Sequence, residues 1–421
     1  LPIDSSELNY GKYKKTGEKM ETSQRIQKMG EPALLKYYPL VSEAQKKGKR
    51  VYFLNIGQPD IKTPPGFLES VNCIDQEVLS YQAPEGIVEL REAACDYYRR
   101  LGLDYDISDL FVTNGGSEAL LFTFIGICNA GDEILTAEPL YSIYKEMAAA
   151  TDVNLVGFKT YAEDGFALPE AAVIEAAITP RTRALLMTNP GNPTGKVFSR
   201  EEIEVMVKLA IKHNLYLISD EVYREFVYDS QDYLSPAQYQ ELAQHFILID
   251  SISKRYSACG ARIGFIVSKN KTLMNQLKKL VQMRLSVSTV DQIGAVSLLR
   301  LDNHFFDGIL KEYTCRREIV YAALQEIPGV ICKEPRGAFY FMAKLPIKEA
   351  CHFIEWLINE FDYQGETVLL SPANDFYLNP RDGADEVRIA YVLNGEDMKK
   401  SMEILKHGLT AYAKAFPEQC K

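Results

Sequence analysis

The sequence has little of what marks several protein classes. Its 421 residues hold eight cysteines, at 73, 95, 128, 259, 315, 332, 351 and 420, and no two of them form a C-x-x-C pair. A disulfide framework or a zinc ribbon shows closer, paired spacing. The five histidines (213, 245, 304, 352 and 407) make no H-E-x-x-H or other ligand spacing, so no metal is expected. The longest apolar stretch, 119–128, is interrupted by Thr123 and is too short to span a bilayer. The polar start lacks the apolar segment of a secretory signal, although a chain beginning at Leu1 leaves a trimmed start open. Scattered cysteines in that setting read as reduced, mostly buried thiols in a cytoplasmic protein. Positive charge is not in excess either. The formal net charge is −10, whereas a nucleic-acid binder carries a basic face.

What is present is ordinary globular composition, 47% apolar and 25% charged. The length suits about two or three domains. Repeats, low-complexity tracts and long linkers are absent. Residues 1–20 are polar and Lys-rich and read as a mobile arm, and 21–47 read as a helix ending near Gly48. From residue 109 short β-branched runs alternate with helix-length segments. The strand-like runs are 110–113, 133–136, 153–157, 184–188, 215–219, 246–250 and 263–267; helical segments include 116–128, 140–149 and 200–214. The runs are almost wholly apolar, as in strands buried on both faces of an α/β sheet. Further on, 303–326 reads as one long helix, followed by short strands and helices at 348–360 and 395–413. The expected fold is therefore α/β. A large domain over 51–300 carries a mainly parallel central sheet flanked by helices. A smaller α+β domain covers 301–421, and 1–50 forms an arm and a helix packing with it.

The most informative segment is 251–264, Ser-Ile-Ser-Lys-Arg-Tyr-Ser-Ala-Cys-Gly-Ala-Arg-Ile-Gly. It follows an expected buried strand. Its hydroxyls, its arginine and its glycines suit a phosphate site. A partly desolvated lysine beside that arginine has a lowered pKa and can attack a carbonyl. The bland alternative is a solvated surface lysine. Three more segments point the same way. Asn-Pro-Gly-Asn-Pro-Thr-Gly at 189–195 is a rigid, helix-incompatible turn. Ser-Asp-Glu-Val-Tyr at 219–223 puts Asp220 at a strand end, as a buried carboxylate or simply a helix cap. Thr-Asn-Gly-Gly-Ser-Glu at 113–118 is a Gly-rich turn opening a helix, where the N–H groups of Gly116 and Ser117 can face a phosphate.

In order and spacing these segments resemble the class I/II aminotransferases of the aspartate aminotransferase family (fold type I), over about residues 55–392. The resemblance implies pyridoxal 5′-phosphate (PLP) as cofactor, with Lys254 as the catalytic amine that holds it and moves the substrate's α-proton. It implies that Asp220 pairs with the pyridine nitrogen, that Asn192 and Tyr223 reach the phenolic oxygen, and that Tyr141 stacks on the ring. Gly116, Ser117, Ser251 and Arg262 hold the phosphate by the same resemblance, with Ser253 as a possible helper. Tyr81 resembles the tyrosine that reaches a neighbouring subunit's phosphate, which implies a homodimer with shared sites; a ring buried in its own subunit is the alternative. Arg388, in Glu-Val-Arg-Ile-Ala, resembles the clamp for the substrate's α-carboxylate, with Gly57 and Asn192 beside it. Arg284 can be placed opposite an arginine that one branch of the family uses across the subunit boundary, or it is a helix-end charge. Cys259 reads as a small packing residue.

The activity implied is transfer of an amino group from an amino acid, aspartate or another dicarboxylic one, to a 2-oxo acid such as 2-oxoglutarate. A PLP-dependent lyase, cleaving a C–S bond or decarboxylating, is the alternative on the same site. A PLP-sensing transcription regulator needs a DNA-binding domain, for which residues 1–50 are too few.

Overall fold

The computed structural model describes residues 21–30, 36–229 and 233–421. The expected arm, 1–20, lies outside them. The region read as one helix over 21–47 contains two described helices, Gln24–Lys28 and Tyr38–Lys46, and the second stops before Gly48, whose φ is +85°.

All seven expected strands of the large sheet are present. They are β2 (Leu110–Asn114), β3 (Glu133–Glu138), β4 (Asn154–Lys159), β5 (Thr182–Thr188), β6 (Tyr216–Asp220), β7 (Phe246–Ser251) and β8 (Ile263–Val267); β1 (Arg50–Phe53) lies elsewhere. Their order is β2-β8-β7-β6-β5-β3-β4. All pairs are parallel except those of β8, which runs antiparallel to both β2 and β7. The unbroken apolar runs follow from burial on both faces. Leu185, Leu217 and Leu248 enter the core on one side, and Leu186, Ile218, Ile247 and Ile249 the core on the other. Each such side chain contributes on the order of 1.5–3 kcal/mol when removed from water.

This topology fixes where chemistry can occur. The carboxyl ends of β2, β3, β5, β6 and β7 lie at one edge of the sheet. Reversal of β8 brings its first residue, Ile263, to that same edge, directly after Arg262. Loops from six strands therefore meet there, as ligand sites in open α/β sheets do.

The later part of the chain adds a second, smaller sheet. β9 (Tyr340–Lys344), β11 (Ser371–Pro372) and β12 (Glu386–Ala390) form an antiparallel sheet in the order β11-β12-β9. β1 pairs in parallel with β10 (Glu366–Leu369), so residues 50–53 join the later part of the chain. Tyr37, Val41 and Leu54 share one core with Phe353, Leu357 and Leu405 from the helices Ala350–Asn359 and Gly395–Ala415. Expected helices at 303–326, 348–360 and 395–413 correspond to Phe305–Gln325 and these two.

Candidate active site

Two adjoining cavities open at the strand-end edge. One, of about 130 Å³, is walled by Gly116, Ser117, Asp220, Ser251, Ser253 and Arg262. The other, of about 290 Å³, reaches Asn55, Gly57, Tyr340, Phe376 and Arg388. Tyr141, Asn192, Tyr223, Lys254 and Cys259 line both. The site residues expected from sequence thus meet in one place, apart from Tyr81 and Arg284.

Lys254 stands three residues beyond β7, in the turn that leads to β8. Its Nζ donates to the Gly57 carbonyl at 2.8 Å. Burial pushes its pKa down, and the charges of Arg388 and Arg262 push the same way, against Cys259 and Asp220. A lowered pKa raises the share of free amine, the form able to attack a carbonyl. Gly57 permits this approach because of its own neighbour: a Cβ there would sit 1.7 Å from the Tyr340 hydroxyl.

The glycine turn and the start of β8 form an anion cradle. Gly115 has φ +74°, and a Cβ on it would lie 2.3 Å from Arg262 Nη2. Arg262 itself takes a left-handed φ of +56° and is anchored by the carbonyls of Cys259 (3.1 Å) and Asn114 (3.4 Å). Beside it, Ser251 Oγ donates to the Ile263 carbonyl at 2.9 Å and lies 2.7 Å from Ser253 Oγ. The helix Gly115–Ile127 begins here and adds the positive end of its dipole.

Asp220 ends β6 and is 4% exposed. Tyr144 donates to its Oδ2 at 2.7 Å, and the Val222 N–H lies 3.4 Å from Oδ1. Burial dominates and pushes its pKa up to about 6. The folded-state value lies above the unfolded one, so the folded chain keeps this proton longer as pH rises. Stability therefore falls between about pH 4 and pH 6 and stays lowered above, by about 3 kcal/mol for two pKa units. Asp220→Asn is expected to stabilise the cofactor-free chain by up to that amount at pH 8 and by little at pH 4, as read by urea unfolding. An equal change in stability at both pH values, or a loss at pH 8, contradicts this.

Arg388 sits on β12 opposite Met342 of β9 and Ser371 of β11. Its guanidinium lies between the rings of Tyr340 (4.6 Å) and Phe376 (4.8 Å). Nη1 donates to Asn192 Oδ1 at 2.9 Å and Nη2 to the Asn55 carbonyl at 2.7 Å, while Nε has no partner. Among the described residues no carboxylate pairs this buried cation. Such a charge is costly unless an anion meets it. Asn192 also donates to Tyr223 Oη at 3.4 Å, which ties the arginine to the first cavity.

Tyr81 lines neither cavity and is 82% exposed. Arg284 is turned onto its own sheet: Nη2 donates to the Val112 carbonyl at 3.0 Å, and Nε lies 3.4 Å from Glu118 Oε2. Cys259 is more than packing: its thiol lies 4.0 Å from Lys254 Nζ and donates to the Ser253 carbonyl. Sequence reading missed Tyr340, whose hydroxyl is 2.8 Å from that of Tyr223, and Tyr144. Tyr144 had a faint signal, since it lies three residues beyond Tyr141, in the first turn of the helix Ile143–Thr151.

Residues 49–405 match the family model described as aminotransferase class I and II. The Thermotoga maritima aspartate aminotransferase is 32% identical over 373 residues, 87% of this chain and 93% of that protein. Two solved structures each cover 93% of this chain and are covered fully by it. They are the Thermus thermophilus aspartate aminotransferase with maleate (TM-score 0.82, 28% identity) and the Pyrococcus furiosus alanine aminotransferase (0.85, 27%).

Proposed function

The chain belongs to the class I and II aminotransferases, and on that premise we propose that it moves the amino group of an amino acid to a 2-oxo acid with pyridoxal 5′-phosphate as cofactor. One observation carries the reading: the buried amine of Lys254 lies between an anion cradle and a buried arginine that has no counter-charge among the described residues.

The donor set fits the cofactor. Gly116, Ser117, Ser251 and Arg262 suit its phosphate, Asp220 its ring nitrogen, and Asn192 and Tyr223 its phenolic oxygen. Tyr141 offers a ring to stack on its face. PLP supplies an aldehyde that takes up amines and a protonated ring that accepts the electron pair released at the substrate's α-carbon. Lys254 supplies the covalent anchor and then, freed by the incoming amine, the base that takes the α-proton and the acid that returns it. Arg388 orients the substrate by its carboxylate, with a planar fork suited to two parallel hydrogen bonds. Asp220, ionised against the ring nitrogen, keeps the ring positive.

We assign the active form to a homodimer in the cytoplasm. Tyr81 is exposed beside Val78 and Leu79, and the Gln82 N–H lies 3.4 Å from Ser286 Oγ, which joins this segment to exposed Met283 and Leu285. A second copy covering this patch gives Tyr81 a site to reach. The eight free cysteines suit a reducing compartment.

For substrate we propose a dicarboxylic amino acid such as aspartate, with 2-oxoglutarate as acceptor, which agrees with the names of the aspartate-using relatives. Lys254 and the arginines 262 and 388 are already assigned, so the distal carboxylate needs a further donor. Arg284 from the second copy is the candidate, which must then leave Val112 and Glu118. A panel of amino-acid donors against 2-oxoglutarate and pyruvate tests the assignment. Transfer of nitrogen to the acceptor supports it; ammonia and pyruvate released from a donor without any acceptor identify a lyase. In the same panel Arg284→Ala is expected to raise KM for dicarboxylic donors several-fold and for apolar donors little. Equal changes remove Arg284 as the distal clamp.

A further inference from the structure

Asp220 receives its only side-chain hydrogen bond among the described residues from Tyr144, a residue with no assigned part in the expected site chemistry. Tyr144 is 1% exposed and lies in the first turn of the helix Ile143–Thr151. Its hydroxyl has two partners: Asp220 Oδ2 at 2.7 Å and Thr188 Oγ1 at 2.8 Å. A phenol has one proton. An ionised carboxylate can only accept, so that proton goes to Asp220 and Thr188 must donate to Tyr144. The chain of donors runs Thr188 to Tyr144 to Asp220, each bond polarising the next. The sheet builds it, because Thr188 of β5 stands in register with Asp220 of β6.

The same ring has a second task. Tyr144 meets Tyr141 edge to face, with centroids 5.5 Å apart and planes at 85°. The Tyr144 N–H also donates to the Tyr141 carbonyl at 3.0 Å. One side chain thus touches both the carboxylate and the aromatic ring assigned to the cofactor's pyridine.

We propose that Tyr144 is a positioning residue for the cofactor ring: its hydroxyl, relayed from Thr188, holds Asp220 ionised and aimed, and its ring edge holds Tyr141 flat. This rests on the reading of the site as a PLP site. Burial alone favours the protonated carboxyl, and Tyr144 is the foremost group acting against it. Without the hydroxyl, Asp220 loses a charge-assisted bond worth about tenfold or more in an equilibrium constant. Its hold on the protonated ring nitrogen weakens accordingly.

The experiment compares wild type, Tyr144→Phe, Tyr144→Leu and Thr188→Val, each loaded with ¹⁵N-labelled PLP. Cofactor dissociation constants and the ¹⁵N shift of the ring nitrogen are read across pH. Wild type must first take up PLP on Lys254; if it does not, the site reading itself fails, independently of Tyr144. Given uptake, Tyr144→Phe is expected to weaken PLP binding about tenfold and to move loss of the ring-nitrogen proton to lower pH. Thr188→Val should shift both readouts the same way but less. Tyr144→Leu should weaken binding further, because Tyr141 loses its support. A Tyr144→Phe enzyme with wild-type affinity and a wild-type ¹⁵N titration overturns the proposal. So does a variant that binds PLP less well while its ring nitrogen titrates unchanged, since that is a packing effect alone.

Discussion

Replacing Lys254 by alanine is expected to lower the single-turnover release of 2-oxo acid by roughly 10⁴-fold or more, the upper end of what a positioned acid–base group contributes. The expectation rests on geometry. Lys254 is the one lysine among the described residues lining the two cavities, and its Nζ sits where the anion cradle and the Arg388 pocket meet. No other lining residue offers a primary amine to anchor an aldehyde. Lys254→Arg separates charge from nucleophilicity: it keeps a cation in place but supplies no amine that deprotonates. It is expected to be as inactive as the alanine variant. Oxo-acid release near the wild-type rate in either variant shows that another group does the work.

Arg388→Ala is expected to lower kcat/KM for α-amino acids by roughly 10²–10³-fold, as breaking a buried charge pair costs about 3–5 kcal/mol at most. The guanidinium is held by Asn192 and Asn55 and sandwiched by Tyr340 and Phe376, so its direction is set before substrate arrives. Arg388→Lys should recover little, because a point charge cannot form the paired bonds of a planar fork. The specific check is an amine donor without a carboxylate. Its already poor turnover should be nearly the same in wild type and Arg388→Ala. A variant equally impaired toward both donors has lost its fold or its cofactor rather than a carboxylate clamp.

The large sheet was legible because its strands are buried on both faces and so are written as unbroken apolar runs. Each expected run overlaps an observed strand, with ends displaced by up to two residues. β5, for instance, begins at Thr182 instead of 184 because Thr182 and Arg183 are polar. The site was legible where a strand or its end carries its own motif, as at Asp220 ending β6, Lys254 just beyond β7 and Arg388 within β12. It was not legible where the partner comes from a distant element. Tyr340 enters from β9 with no local pattern that separates it from an ordinary core tyrosine, and Tyr144 enters from a helix with only its three-residue spacing from Tyr141 as a signal. Cys259 was hidden for a different reason: a small residue in a turn reveals its neighbour only when the turn closes and brings its thiol to Lys254. The joining of residues 50–53 to β10 is a long-range parallel pairing, which local periodicity does not encode.

The direct test of the central claim is reduction of the PLP-loaded protein with borohydride, followed by digestion and mass mapping. The account expects one pyridoxyl phosphate group per chain, on Lys254, within the peptide that also carries Ser251 and Arg262. A label on any other lysine, or no label at saturating cofactor, contradicts it.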